Sequence, residues 1–360
     1  MTDKDLFLEL LRASLGSPKA LSRKPSGSEW EDLYSEARRQ SVIGLCLQAI
    51  QQDGGKWGEE NGLPIDLKLK WIGKAEKIAD ENKKLNQQCR QLSEKLTRSG
   101  YWNCILKGQG IATLYPHPEW RQSGDIDIWV GGGRKRVVEM TRRVTKRKEE
   151  VTYHHTDFRV FEDTSVEVHF TPTWMFNPIT NRRLQRWMEE HKNTREENGF
   201  PCTSIQFDVL FILIHIYRHI FDEGVGLRQI IDYFYVLKAY NKEQGGGEIS
   251  KELKSLNLSK FTQGLMWLMT EKLDMPSEWM IAKADKRVGE WLLQEIMEAG
   301  NFGHFDKRNE GIYHNSPRLK RLWWRIKRSS ERILYFPGEA LWEMPWRTWH
   351  YLWRMKNGYL

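Results

Sequence analysis

Asp125 and Asp127 carry the sharpest chemical signal in this chain, inside the run Gly124-Asp125-Ile126-Asp127-Ile128-Trp129-Val130. The strict alternation predicts a strand, so the two carboxylates share one face while Ile126, Ile128 and Val130 turn into a core. Two acids side by side repel unless a positive charge sits between them, and a hard divalent cation such as Mg²⁺ suits that place. A second alternating run, Ser165-Val166-Glu167-Val168-His169-Phe170, turns Glu167 and His169 outward. Glu167 on a neighbouring strand would complete a three-acid cluster able to hold two metal ions, an arrangement that activates an attacking oxygen and stabilises a leaving pyrophosphate. Upstream, Lys107-Gly108-Gln109-Gly110 stands where a strand turns into a helix. Its glycines let backbone N–H groups approach an anion at a helix N-terminus, which makes a seat for phosphate. Taken alone, Lys107 reads equally as a solvated lysine and as a phosphate contact.

The elements that must position these groups follow from periodicity. Residues 1–98 read as a helical region, with helices expected over Asp3 to Leu15, Glu29 to Gln51 and about Leu67 to Arg98. Residues 99–172 form the catalytic core. It runs as a strand Trp102 to Leu106, a helical stretch Ile111 to Tyr115, the Asp125–Asp127 strand, a basic helix Arg134 to Lys148, and a hairpin of Val151 to Glu162 with Ser165 to Phe170. That succession makes a compact α/β or α+β unit, small enough to need support from the flanking helices. Residues 173–316 read as a second helical domain, with helices over Ser204 to Phe221, Leu227 to Tyr240, Leu258 to Lys272 and Glu278 to Ala299, and Gly245-Gly246-Gly247 as a flexible joint. Residues 317–360 form a basic, Trp-rich tail.

Composition narrows the function class. The 360 residues carry a net charge of +8, yet the segment from Arg318 onward holds ten Lys and Arg against three Glu, so the basic character belongs mostly to the tail. A long nucleic acid acceptor is therefore less expected, although the basic Arg134 to Lys148 helix leaves it open. The longest uncharged apolar stretch, Val209 to Tyr217, has nine residues where a spanning helix needs about 20. No basic-then-apolar leader precedes it, and cytoplasmic localisation is the expectation. Cys46, Cys89, Cys104 and Cys202 form no CxxC pair and read as reduced thiols. In the helical domain, His215 and His219 share a helix face and read first as buried packing, with a substrate or metal contact as the alternative. Arg228 and Asp232, four apart, read first as a helix salt bridge. Arg121 is placed by charge and position to clamp a triphosphate, or else is a surface arginine. The tail tryptophans, among them Trp323, Trp324, Trp342, Trp346, Trp349 and Trp353, could stack on nucleic acid or lie on an anionic membrane. At helical spacing they read first as a stripe that docks on the body or on a partner.

The order Leu106-Lys107-Gly108, Leu114-Tyr115-Pro116, Arg121, Asp125-Ile126-Asp127 and Val166-Glu167-Val168-His169 resembles the nucleotidyltransferase superfamily of the DNA polymerase beta type. More narrowly, it is similar to the bacterial uncharacterised nucleotidyltransferase family, over roughly Tyr101 to Phe305. The likeness extends to His215, His219, Gly226-Leu227-Arg228, Asp232 and Gly300-Asn301-Phe302-Gly303-His304. The resemblance implies an α+β fold, a small polymerase beta-type core with a mixed sheet and flanking helical modules. It implies Asp125, Asp127 and Glu167 as Mg²⁺ (or Mn²⁺) ligands, with Glu167 as ligand or general base. Lys107, Gly108, Gln109, Arg121 and His169 would contact the nucleotide, and His215, His219, Arg228 and Asp232 the substrate. Gln109 stands where the superfamily usually has serine, and the gap from Gly108 to Asp125 is longer than usual. The implied reaction moves an NMP from an NTP, ATP being the expected donor, to a small-molecule or protein acceptor with loss of pyrophosphate. A binding protein that retains the fold without catalysis is the alternative, and a phosphotransferase acting on the γ-phosphate is a third.

Overall fold

The computed structural model describes residues 3–122, 124–147, 149–244, 249–301, 306 and 330–359. Six short strands form one mixed sheet in the order β3-β4-β2-β1-β6-β5, with β1 Asn103–Leu106, β2 Ile126–Val130, β3 His155–Asp157, β4 Val166–His169, β5 Thr194–Glu197 and β6 Phe200–Thr203. The β2 pairs in parallel with β4, and Asp127 stands opposite Glu167. It pairs antiparallel with β1, where Leu106 stands opposite Asp127, and β3 closes the edge against β4 with His155 opposite His169. The fold is α+β, as the sequence led us to expect.

Alternation along β2 and β4 divides the sheet into two unlike faces. Ile105, Ile126, Ile128, Val130, Val166 and Val168 pack with Val137 and Val138 of the helix Gly133–Thr145 and with Leu85, Cys89 and Leu92 of the long helix Ile65–Arg98. The opposite face sends Cys104, Leu106 and Trp129 into a larger core shared with the helix Ile205–Phe221, whose Phe207 ring lies 5.7 Å from Trp129. Asp127, Glu167 and His169 belong to this second face. The helix Ile205–Phe221 is apolar nearly all round, the mark of an element buried on most sides, and Ser204 caps it by accepting from the Phe207 amide.

Several boundaries differ from the sequence reading, each for a local reason. The helix expected over Glu29 to Gln51 is two, Gly27–Arg39 and Ile43–Ile50. Between them Ser41 adopts φ 57°, and the buried Gln40 side chain accepts from the Leu227 amide at 2.9 Å. The expected Val151 to Glu162 strand shrinks to β3. The region 173–316 is not wholly helical, since β5 and β6 form a hairpin across Asn198-Gly199, and β6 joins β1 in parallel. Asn198 (φ 51°) and Gly199 (φ 78°) both take the left-handed conformation that a two-residue hairpin turn requires. The Gly245-Gly246-Gly247 joint, Gly303-His304, and Trp323 and Trp324 lie outside the described residues.

The N-terminal helices do more than support. Asn82, in the long helix, donates to the carbonyls of Glu119 and Arg121, each at 2.7 Å, and so fixes the loop that enters β2. The C-terminal helix Pro337–Lys356 docks on the body. Trp346 stacks on Trp174 with ring centroids 3.6 Å apart, and Glu339 accepts from the backbone amides of Phe176 and Asn177.

Burial of Glu339 raises its carboxyl to about 7, against the lowering effect of those amides and of Arg218; Glu343 nearby adds to the rise. Its folded value therefore lies above the ordinary one near 4.3, so the fold favours the neutral acid. The stability this contributes is full below the ordinary value and is lost as pH rises through about 7. Stability to denaturant should fall between about pH 6 and pH 8 as Glu339 ionises in its buried place. Glu339→Gln should flatten that dependence, and an unchanged profile in the variant would refute the assignment.

Candidate active site

The site is built where β1, β2, β3 and β4 meet. The parallel register puts Asp127 and Glu167 side by side on one face, and His169, two residues after Glu167, follows on the same face. His169 Nε2 lies 2.8 Å from Asp127 Oδ1 and 3.4 Å from Glu167 Oε2. Lys107 leaves β1 at a turn with φ 38° and ψ −140°, a backbone state that side chains other than glycine rarely take and that clusters at ligand sites. From that turn its Nζ reaches Asp127 Oδ2 at 3.0 Å. Asp127 is thus buried and held from both sides. Asp125, one residue before β2 begins, is exposed at the rim.

The electrostatics follow from these contacts. Burial alone would push the Glu167 carboxyl up, but the hydrogen bond from His169 and the charges of His155, His169 and Lys107 outweigh it and hold it down at about 2. Burial alone would push His169 down, but hydrogen bonds to Asp127 and Glu167 and their charges hold it up at about 9. Lys107 is raised in the same way, burial being overcome by Asp127, Asp125 and Glu167. Glu167 is therefore ionised, and the Lys107 and His169 cations stand beside it and Asp127.

A cavity of about 970 Å³ opens over these groups, at the upper end of the range for small-molecule sites. Lys107, Asp125, Glu167 and His169 line its floor, and His215, Arg218 and His219 of the helix Ile205–Phe221 line one wall. Arg332, Glu343 and Arg347 bring the C-terminal segment into the lining beside the end of that helix, where Arg332 and Arg347 donate to the Phe221 carbonyl at 3.1 Å and 3.3 Å. Burial lowers His219 to about 4 and drives His215 well down, with the charge of Lys107 acting in the same direction, so both imidazoles are neutral. These two histidines face the cavity rather than serving as packing alone.

Three other sequence expectations are corrected. Arg121 does not reach toward the cavity floor as a clamp. Its Nε and Nη2 bind both oxygens of Asp232 at 2.7 Å, with Tyr115 donating to the same carboxylate at 2.7 Å, all in a buried setting. Asp232 is thereby drawn away from Arg228, so the helix salt bridge between them does not form; Arg228 donates to the Gln122 carbonyl at 2.9 Å. Gln109 is buried and donates to Asn86 Oδ1 at 2.8 Å, which ties the Lys-Gly turn to the long helix instead of offering an amide to a nucleotide. Gly108 stays beside a small cleft with Asp125 and Asp127.

The structure also adds residues that the sequence reading passed over. His154 accepts from the Trp174 indole N–H at 3.2 Å, and His155 Nδ1 lies 3.3 Å from Glu167 Oε2. Burial drives His154 well down and His155 to about 4, with neighbouring imidazoles adding to the fall. Their signal was the adjacent His154-His155 pair just before an alternating run. Among the described residues, the His, Cys and acidic groups spaced to hold a cation are Asp127 with Glu167 and His169, and His154 with His155 and His169, the ligand atoms of each set lying within 4.8 Å of one another. A buried and a half-buried carboxylate at that spacing supply the oxygen ligands a divalent cation prefers.

The family model for uncharacterised nucleotidyltransferases matches residues 26–274, more than two thirds of the chain and all of the site but its C-terminal wall. The chain belongs to this family. Members of the uncharacterised nucleotidyltransferase family are thus the setting for Asp127, Glu167 and Lys107. Among solved structures, an antigenic nucleotidyltransferase-like protein from Paracoccidioides brasiliensis is similar at 15% identity, covering 57% of this chain and 96% of its own, with a TM-score of 0.32. No curated protein matches. Among the described residues, no helix is long and apolar enough to cross a membrane, and the four cysteines are free and buried.

The Arg121–Asp232 pair generates a direct check. Asp232→Asn leaves a buried guanidinium without its counter-charge, so denaturant unfolding should show a loss of about 3–5 kcal/mol. A variant of unchanged stability with weakened nucleotide binding would instead restore Arg121 as a phosphate clamp.

Proposed function

We propose that this family member is a divalent-cation-dependent nucleotidyltransferase. The observation that carries this reading is the in-register pairing of Asp127 with Glu167, where Glu167, Asp125 and Lys107 line the floor of a cavity large enough for a nucleotide and the buried Asp127 lies just beneath, against Lys107. Asp127 and Glu167, with Asp125 at the rim, would hold Mg²⁺ or Mn²⁺, which when bound supplies positive charge to phosphate oxygens. The acceptor oxygen forms a bond to the α-phosphorus of an NTP, and the bond to the β,γ-pyrophosphate breaks with its electron pair leaving on pyrophosphate.

This chain's residues divide that work by their charge states. A carboxylate held at about 2 is a weak base and a strong anionic ligand, so Glu167 acts as ligand rather than as base. The proton of an acceptor hydroxyl goes instead to one of the neutral imidazoles on the cavity wall, of which His155 lies nearest to Glu167. The Lys107 ammonium orients Asp127 and meets the negative charge of the triphosphate. The long helix and the Arg121–Asp232 pair hold the entry to β2 still. Catalysis of this kind comes from positioning and electrostatic stabilisation. ATP is the expected donor, and the acceptor is a small molecule or a protein side chain.

Incubation with α-labelled NTPs, Mg²⁺ or Mn²⁺ and a metabolite extract or lysate tests the reading. Label should pass to an acceptor with release of pyrophosphate, stop on chelation, and fall by more than about 10²-fold in Asp127→Asn and in Glu167→Gln. Transfer that persists in both variants would sink the assignment. Release of ADP with label retained on it would move the reaction to the γ-phosphate. Nucleotide binding with no transfer to any acceptor, unchanged in Asp127→Asn, would favour a binding protein.

A further inference from the structure

The C-terminal helix Pro337–Lys356 buries charge as well as apolar surface. Its inward arc holds Ala340 and Trp346 together with Glu339, Glu343 and Arg347, which bind the chain at Phe176 and Asp222. Its exposed positions carry Leu341, Trp342, Trp349, Tyr351, Leu352 and Met355, each between 41% and 61% exposed. Beyond these and two prolines, only Thr348 and Lys356 are exposed on the helix. At 100° per residue, Leu341, Pro345, Trp349, Leu352 and Met355 fall on successive turns of one stripe, along a helix about 30 Å long. Contiguous exposed apolar surface of this kind marks a docking face rather than scattered surface residues.

Beside the stripe lies a basic surface. The helix Gly133–Thr145 and the turn after it expose Lys135, Arg136, Arg143, Lys146 and Arg147 around one exposed acid, Glu139. This element is fastened to the C-terminal helix by Arg134 over the Trp353 ring at 4.6 Å, Arg142 over the Tyr359 ring at 5.6 Å, and Arg354 bound to Glu150 at 2.7 Å. Apolar and aromatic side chains next to a cluster of lysines and arginines are the complement of an anionic lipid surface. A nucleic acid would stack on the tryptophans but gain nothing from Leu341, Leu352 and Met355. We infer that the outer face of the helix Pro337–Lys356, flanked by the basic helix Gly133–Thr145, docks this protein on the surface of a bilayer rich in anionic lipid. The inference goes beyond the proposed reaction and does not depend on it.

Co-sedimentation of the full chain with vesicles is the test. The protein should pellet with phosphatidylcholine–phosphatidylserine vesicles, far less with phosphatidylcholine alone, and less again as salt is raised. Trp349→Glu combined with Leu352→Glu should lower partitioning about tenfold or more. Lys135→Glu combined with Arg143→Glu and Lys146→Glu, which leaves the apolar stripe intact, should do the same by its own route. Circular dichroism melting of both variants should match the parent chain. Any of four results would overturn the inference. They are no pelleting of the parent chain with anionic vesicles, equal pelleting with neutral ones, well-folded variants of either kind that pellet as before, and a dimer broken by Trp349→Glu in a chain that ignores vesicles.

Discussion

The parallel pairing of β2 with β4 is the constraint on which the site depends. Because Asp127 and Glu167 are register partners, their carboxylates project from one face at adjacent strand spacing, about 4.7–4.9 Å between backbones. A slip of one residue would send Glu167 into the apolar core and bring Val166 or Val168 into the cavity. The apolar partners Ile126, Ile128, Val166 and Val168 on the far side forbid that slip, since they fill the core against the helices Gly133–Thr145 and Ile65–Arg98. Packing on one face of the sheet thereby enforces chemistry on the other.

Two acids held that close need compensation, and the fold supplies it from separate elements. Lys107 comes from the end of β1 through a left-handed backbone turn, and His169 from the end of β4. Both are held charged by the acids they face. Next to them the histidines of β3 and of the helix Ile205–Phe221 are kept neutral by burial. One cavity thus contains fixed anions, fixed cations and neutral bases, a separation of charge states that suits the handling of a polyphosphate and an acceptor proton.

Much of this was legible from the residues themselves. The alternation of Asp125 to Val130 and of Val166 to Phe170, and the Lys-Gly turn, gave the strands, the outward acids and the place where a backbone turn meets the site. Adjacency of β2 and β4 was not legible from spacing, because a helix and a third strand lie between them in the chain. Arg121 was misread because its partner, Asp232, is 111 residues away, and no local pattern announces such a buried pair. Gln109 and Gln40 were settled likewise by distant helices. The β5–β6 hairpin had one signal, the Asn198-Gly199 turn, but Glu196, Glu197 and Pro201 beside it are poor strand formers, and it was passed over amid helical neighbours. The C-terminal helix docks on the body, but of the expected tryptophan stripe Trp342 and Trp349 are exposed, and Glu339, Glu343 and Arg347 turn inward beside Trp346 because the cavity wall and the Phe176–Asn177 amides offer them partners there.

Diffraction from crystals grown with Mn²⁺ and an NTP analogue that cannot release pyrophosphate addresses the central claim most directly. Anomalous density between Asp127 and Glu167, with the α-phosphate beside it and the triphosphate near Lys107, is the expected result. Nucleotide seated elsewhere, with no manganese peak at these two carboxylates, would contradict it.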